Sequence, residues 1–211
     1  MYNFPYLKDT NFLKELDCSR IKEQFLKIII LNWDETPIQD ITGYALDGGS
    51  INLDSSSAMR RTANIQLFAN NTENDLTNVD NLISINKKVE LLVGLKNFSN
   101  QYKEYPILWF PQGIFIIISA NVVNDLNGKK ISLTLHDKMA LLNGECGGVL
   151  PASVIFHEVE EEDEFGNITV SKPSIQQIIR EILNHWGNEQ QQKIIINNLD
   201  DKVKQVLRWN K

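Results

Sequence analysis

Alternating apolar and polar positions dominate the chain from Leu26 to about residue 136 and predict a series of β-strands. In Ala63–Ala69, Ile65 and Leu67 fall on one face, and polar residues fall on the other. Asn127-Gly128 favours a hairpin turn, because both residue types tolerate positive φ. Five further segments are predicted strands: Ile28–Leu31, Ile51–Asp54, Val89–Leu95, Gly113–Ser119 and Ile131–His136. Strands that recur with turn signals between them predict an antiparallel barrel or sandwich.

Helical signals lie towards the two ends of the chain. Ser174 followed by Gln177 is a capping-box pattern. Apolar residues at helical spacing from Ile175 to Trp186 indicate an amphipathic helix that buries one face and ends at Gly187. Shorter helices are predicted at Asn11–Leu16, at Ile21–Phe25 and at Lys138–Asn143, the last of which ends at Gly144.

The last quarter of the chain also contains strand signals. The acidic run Glu158–Glu164 lies between the apolar segments Val154–Phe156 and Ile168–Val170. We therefore expect a hairpin whose acidic tip is solvated. Ile194–Ile196 predicts a further strand after the amphipathic helix.

These changes of pattern divide the chain into three parts. We expect residues 1–25 to form a lead-in or docking segment and residues 26–150 to form an antiparallel β domain, a barrel or a sandwich, which the resemblance described below implies is a barrel. Residues 151–211 contain the acidic hairpin, the amphipathic helix and a strand, and we interpret them as the start of a second domain. The predicted fold class is mainly β with a few helices, which is an α+β chain.

Composition narrows the classes of function. Of the 211 residues, 42% are hydrophobic, which is too many for a disordered chain. The 21 Lys+Arg against 27 Asp+Glu give a net charge of −6, which argues against a protein that coats nucleic acid. No apolar run approaches the roughly 18–20 residues that cross a bilayer, so membrane insertion is not expected. Two cysteines are too few for a disulfide framework and indicate a reducing compartment.

Candidate catalytic and metal-binding residues are sparse. His136-Asp137 could orient an imidazole as a base, but no nucleophile motif accompanies the pair, and we interpret His136 as structural. His157 beside Glu158 lacks further ligands at metal-binding spacing. The acidic run lacks the spacing and the glycine of a calcium loop. We expect no catalytic, metal or cofactor-binding residues, no cofactor and no enzymatic activity.

Two adjacent arginines, Arg60 and Arg61, are harder to interpret. Neighbouring residues of a strand face opposite ways, so one guanidinium points to each side. Either both are solvated, or one bonds a carboxylate in a neighbouring strand or subunit. Both remain candidates for inter-strand or inter-subunit contacts.

An aromatic group follows later in the chain. Trp109 and Phe110 are further candidates for inter-strand or inter-subunit contacts. Together with Tyr102 and Tyr105 they either pack in the core or an interface, or line a shallow groove that binds glycan.

Four stretches, in their order and spacing over about residues 40–200, resemble the baseplate or tail-tip hub proteins of bacteriophages. They are Gly49–Leu67 with its S-A-M-R-R-T core, Trp109–Ile117 with W-F-x-x-G-x-F-x-I, Asp137–Gly148 with D-K-M-x-x-L-N-G-x-x-G-G, and Ile178–Leu199. Related hub proteins are usually longer. The resemblance therefore predicts an N-terminal portion, a split version, or a final domain that a partner chain supplies.

The resemblance implies a virion component of the tail that is assembled in the bacterial host cytoplasm. It implies a β-barrel hub domain in an oligomeric ring, a trimer or a hexamer, at the end of the tail tube. The implied partners are other copies of the chain and other tail or baseplate proteins, with DNA only passing through the lumen. The alternative is a β module at the tail tip that binds glycan or a receptor.

Overall fold

A computed structural model gives the architecture. It describes residues 4–18, 23–46, 49–57, 59–69, 83–85, 87–126, 128–146, 159–162, 168–171, 174–187, 189–194 and 196. The chain divides into two compact units, Met1–Lys138 and Met139–Lys211.

Antiparallel strands build the first unit. They are β1 (Gln24–Leu31), β2 (Pro37–Asp40), β3 (Ser50–Leu53), β4 (Arg61–Ala69), β5 (Lys88–Lys96), β6 (Ile107–Asp125) and β7 (Gly128–Asp137). They form one seven-stranded sheet in the order β2-β1-β5-β6-β7-β4-β3, in which every neighbouring pair is antiparallel. The prediction of a mainly β, α+β chain with antiparallel strands is confirmed.

The sheet curls around its main core. Its buried residues come from alternate positions of the central strands: Ile28, Ile30, Ala63, Ile65, Leu67, Val89, Leu91, Phe115, Ile117, Ile131, Leu133 and Leu135. The short segment 41–46 bonds both to β1 and to β4, through Ile41 N–H to the Ile28 carbonyl at 2.9 Å and Leu46 N–H to the Gln66 carbonyl at 2.8 Å. In a flat sheet these two strands would lie about 19 Å apart, four steps of about 4.8 Å. Six residues that include a 3-10 turn (Thr42–Tyr44) are too short for that span, so β1 and β4 must curve towards each other.

β6 is longer than its apolar pattern predicts. The predicted strand covered Gly113–Ser119, whereas β6 has 19 residues. Its pairing shifts register beside Gln112 and again between Ile117 and Ser119. Each irregularity breaks the alternation of apolar and polar residues without ending the strand. The alternation therefore does not indicate the full length of β6.

The predicted hairpin turn joins β6 and β7. Asp125 pairs with Gly128, whose φ is +154°, while residue 127 lies outside the described residues. A Cβ atom on Gly128 would lie 2.6 Å from the Ala69 carbonyl oxygen, so only glycine fits here without movement.

The N-terminal residues fold onto their own sheet. A 3-10 helix at Pro5–Lys8 precedes α1 (Thr10–Cys18), which confirms the predicted helix at Asn11–Leu16. The predicted helix at Ile21–Phe25 is wrong for Gln24 and Phe25, which lie in β1. Pairing with β5 along the whole of β1 overrides the weak local helical preference there.

The second unit contains a hairpin and the amphipathic helix. β8 (Val159–Glu162) pairs antiparallel with β9 (Ile168–Ser171). A hairpin is therefore present, but the acidic run itself supplies one strand, and the predicted arm Val154–Phe156 lies outside the described residues.

The helix has the predicted start. α2 (Ile175–Glu181) continues as a π-helix at Ile182–Trp186, and Ser174 and Gln177 form both hydrogen bonds of a capping box. The predicted strand at Ile194–Ile196 is not found in the described part of this stretch. A 3-10 helix precedes Ile194, whose N–H bonds back to the Gln191 carbonyl at 3.2 Å and turns the chain. No described helix has the length and apolar character needed to cross a bilayer.

Candidate assembly site

Arg61, at the start of β4, joins three separate parts of the first unit. Its backbone N–H donates to Asp137 Oδ2 at 2.9 Å, and its guanidinium Nη1 donates to the Gln112 carbonyl at 2.6 Å. β7 separates β4 from β6 in the sheet, so the Arg61 side chain reaches past the end of β7 to the backbone of β6.

Gly113 provides the space for this contact. Its φ is +116°, and a Cβ atom there would lie 2.7 Å from Arg61 Nη1. A side chain would therefore both strain the backbone and displace the guanidinium. We call Arg61, Gln112, Gly113 and Asp137 the Arg61 node.

The neighbouring Arg60 is exposed, and its carbonyl accepts the Asp54 N–H at 2.9 Å. The bonds of Arg61 differ in kind from the predicted guanidinium–carboxylate pair. The carboxylate of Asp137 meets the backbone of Arg61, and its guanidinium meets a carbonyl. Contact of either arginine with a second subunit stays a prediction.

Tyr6 anchors the N-terminal residues to β6. The side chain is fully buried, and its hydroxyl donates to the Trp109 carbonyl at 3.0 Å and accepts the Trp109 N–H at 2.7 Å. Burial raises the pKa of the Tyr6 hydroxyl. Its ring packs against Phe4 and Tyr105, both at 5.3 Å between centroids, and against Phe110 at 5.9 Å. We call this group, with Phe12, Tyr102 and Leu108, the N-terminal aromatic cluster.

The predicted aromatic candidates therefore separate. Tyr102, Tyr105 and Phe110 pack in the N-terminal aromatic cluster. Trp109 packs instead with the group formed by Ile29, Leu31 and Leu92. Neighbouring strand residues point to opposite faces, and Trp109 and Phe110 accordingly pack in different clusters. Contact of Trp109 or Phe110 with a second subunit stays a prediction. The glycan-binding alternative stays a prediction as well.

Asp9 holds the start of α1 against the loop between β5 and β6. Its carboxylate accepts the Phe12 N–H at 3.0 Å, the Tyr102 hydroxyl at 3.0 Å and the Gln101 amide at 2.9 Å. The bond from Phe12, followed by the bond from Tyr102, lowers the pKa of Asp9 below its ordinary value of 3.8. The same carboxylate thus caps the helix and fixes its position.

We expect acid to loosen this N-terminal attachment. Because the pKa of Asp9 is lowered in the folded chain, its contribution to stability is complete above 3.8 and is lost as the pH falls further. Cleavage within residues 4–18 by pepsin should therefore accelerate below that pH. Asp9→Asn should make this cleavage less dependent on pH, whereas the control Glu15→Gln, exposed on the same helix, should behave like the parent chain. Equal pH dependence in all three proteins would contradict the assignment.

A buried ion cluster that the sequence did not indicate lies at the other end of β5. Lys88 is only 2% exposed, and its Nζ lies 3.2 Å from Glu35 Oε1 and 4.6 Å from the centre of the Trp33 ring. Lys138 Nζ bonds the same carboxylate oxygen. Glu35 lies in the β1–β2 turn with a φ of +67°. A lysine in a strand and a glutamate in a turn carry no sequence signal for such a pair.

The other candidates from the sequence have ordinary surroundings or lie outside the described residues. His136 pairs with Thr62 and Ile116 inside the sheet. His185 is exposed and packs edge-on against Trp186 at 5.0 Å, while residue 157 is not described. Burial raises the pKa of the Cys146 thiol, which disfavours the reactive thiolate. Within the described residues, no group of three or more His, Cys, Asp or Glu could hold a metal ion.

Comparisons with known proteins give only weak structural similarities. No family model matches the chain, and no curated protein matches it. Among solved structures, "Structure of PdpA-VgrG Complex, Lidless" is similar at 12% identity and a TM-score of 0.35, over 57% of this chain and 20% of that one. "Structure of Francisella PdpA-VgrG Complex, half-lidded" is similar at 11% identity and a TM-score of 0.35, over 64% and 21% of the two chains. The chain thus spans about a fifth of the length of the chains it matches.

Proposed function

We propose that this chain is a structural subunit of a phage-type tail, a hub protein in an oligomeric ring at the end of the tail tube. One observation carries the proposal: the Arg61 node joins three of the four stretches that resemble hub proteins. Arg61 belongs to the first stretch, Gln112 and Gly113 belong to the second, and Asp137 begins the third.

The contacts of the Arg61 node explain why these residue types occur at these positions. The Arg61 guanidinium needs a residue without a side chain at Gly113, and its backbone N–H needs an acceptor at Asp137. Short motifs of this kind match by chance when each is taken alone. Here residues from three of the motifs contact one another. Motifs that depend on one another in the fold support the resemblance to hub proteins more strongly than unrelated motifs would.

The surface supports an assembly function. Large apolar side chains are exposed at the tip of the β6–β7 hairpin, where the exposed fractions are 40% for Val122, 53% for Val123 and 97% for Leu126. Neighbouring exposed apolar residues are typical of surfaces that contact another protein. We therefore assign the hairpin tip to contacts between ring subunits.

The proposal extends to partners and location. The ring consists of copies of this chain, a trimer or a hexamer, and contacts other tail or baseplate proteins. DNA passes through its lumen, and the protein is part of the virion after assembly in the host cytoplasm. In this proposal the chain has no enzymatic activity and binds no cofactor.

Light scattering on the purified chain tests the proposal. We expect a discrete mass of three or six subunits, which Val123→Lys should shift towards the monomer. Asn121→Lys adds the same charge to an exposed polar position of the same strand and should leave the mass unchanged. A monomer at every concentration, or equal effects of the two variants, would contradict the assignment.

A further inference from the structure

An open slot separates the two ends of the curled sheet. A cavity of about 520 Å³ lies between β1 on one side and β3 and β4 on the other. The residues that line it are Gln24, Phe25, Leu26, Ala45, Leu46, Gly49, Ser50, Ile51, Asn64, Ile65 and Val93. None of these described lining residues is charged.

On the first side, the β1 backbone directs hydrogen-bonding groups into the slot. The Ile28 N–H donates to Thr42 Oγ1 and its carbonyl accepts the Ile41 N–H, both at 2.9 Å, so this residue's main chain points away from β5. Alternate residues of a strand point the same way, so the N–H and carbonyl groups of Gln24 and Leu26 also point away from β5. Among the described strands, β2 pairs only with the other end of β1.

On the second side, β3 offers a matching edge. The Asp54 N–H donates to the Arg60 carbonyl at 2.9 Å, which sets the alternation along β3. The N–H and carbonyl groups of Ile51 and Leu53 therefore point away from β4. β3 lies at the end of the sheet order and pairs only with β4 among the described strands.

The bottom of the slot is apolar. Leu26 and Ile51 pack against the buried core without being fully covered, and Ile65 belongs to that core. Phe25 and Leu46 flank the opening, each with an exposed fraction of 37%. Two free strand edges over an apolar floor form the environment of a strand that is missing from a barrel.

We propose that the slot binds an extended segment of a partner polypeptide, which adds as a β-strand between β1 and β3. Its main chain bonds the free groups of Gln24, Leu26, Ile51 and Leu53. Its side chains are uncharged, and alternate ones are apolar and face Leu26, Ile51 and Ile65. The described lining residues carry no charge, and this selects against a charged segment, because burial of an unpaired charge is costly.

A different polypeptide fits this slot better than a second copy. A strand between β1 and β3 needs both of its edges free, whereas each described strand of this chain is already paired along at least one edge. A second copy would have to break its own sheet to supply one of these strands. This inference is independent of the ring, since the ring contact is assigned to the hairpin tip.

Amide-resolved hydrogen exchange on the full chain tests the inference. The probe is a short synthetic peptide of alternating valine and threonine with neutral blocked ends. We expect it to slow exchange at Gln24, Leu26, Ile51 and Leu53 by about tenfold or more, because each amide gains a partner or becomes shielded. A peptide with proline in place of the central valine should not protect these amides, since proline cannot donate to the ladder.

Two variants provide matched controls. Leu46→Lys places a charge at the opening and should weaken peptide binding about tenfold. Ile38→Lys, at a 48% exposed position of β2 outside the slot, should leave binding unchanged. The inference is overturned if the four amides are unaffected, or if the proline peptide protects them equally. Protection that rises with protein concentration alone would assign the slot to a second copy and also contradict the proposal.

Discussion

Glu35→Gln should destabilise the first unit by about 3–5 kcal/mol, because it leaves the ammonium of Lys88 buried without its counter-charge. The Lys88 side chain is 2% exposed and that of Glu35 is 12% exposed, so water cannot replace the lost carboxylate. The Trp33 ring retains a cation–π contact, which offsets a small part of the loss. Urea unfolding followed by tryptophan fluorescence would measure the change.

Two controls separate burial from charge. Lys138→Gln should cost much less, because that side chain is 33% exposed and its ammonium can be solvated. Adding Lys88→Met to Glu35→Gln should recover most of the lost stability, since an apolar side chain needs no counter-charge. If Glu35→Gln and Lys138→Gln cost the same, the buried pair is not what holds the β1–β2 turn to β5.

Tyr6→Ala should detach the N-terminal residues from the sheet. The variant removes a fully buried ring and both hydrogen bonds to Trp109, which should cost about 3–5 kcal/mol of local stability. Hydrogen exchange at the α1 amides should accelerate strongly. Exchange at core amides such as Ile65 and Leu133 should change little, because their contacts lie in the separate main core.

Tyr6→Phe is the matched variant. It keeps the ring and leaves the N–H and carbonyl of Trp109 without their partner, at a cost of about 1–3 kcal/mol. An effect on α1 between that of the parent chain and that of Tyr6→Ala is expected. If Tyr6→Ala unfolds the whole sheet instead, the N-terminal residues are part of the sheet's folding unit and not an attachment to it.

The strands and the capped helix could be predicted because their signals are local. Alternation in β4 and β7, and the pairing of Ser174 with Gln177, depend only on neighbouring residues. The errors arose where distant contacts decide. Gln24 and Phe25 joined β1 because β5 offers them a full ladder, and the bulges of β6 interrupted its pattern without ending it.

The geometry of the candidate site could not be predicted from the sequence. The sequence indicates Arg61 as a contact residue, but its partners Gln112 and Asp137 lie 51 and 76 positions away along the chain. Glu35 and Lys88, which are 53 positions apart, gave no signal at all. Contacts across such separations depend on strand order, which alternation does not encode.

The hydroxyl of Tyr6 has one more consequence. An extended strand with unused main-chain groups is a template for uncontrolled fibrous growth, and natural sheets need some way to blunt it. The Tyr6 hydroxyl bonds both the N–H and the carbonyl of Trp109, and so prevents another strand from pairing with that part of β6. Loss of these two hydrogen bonds should cause aggregation during expression, even in a chain that still folds.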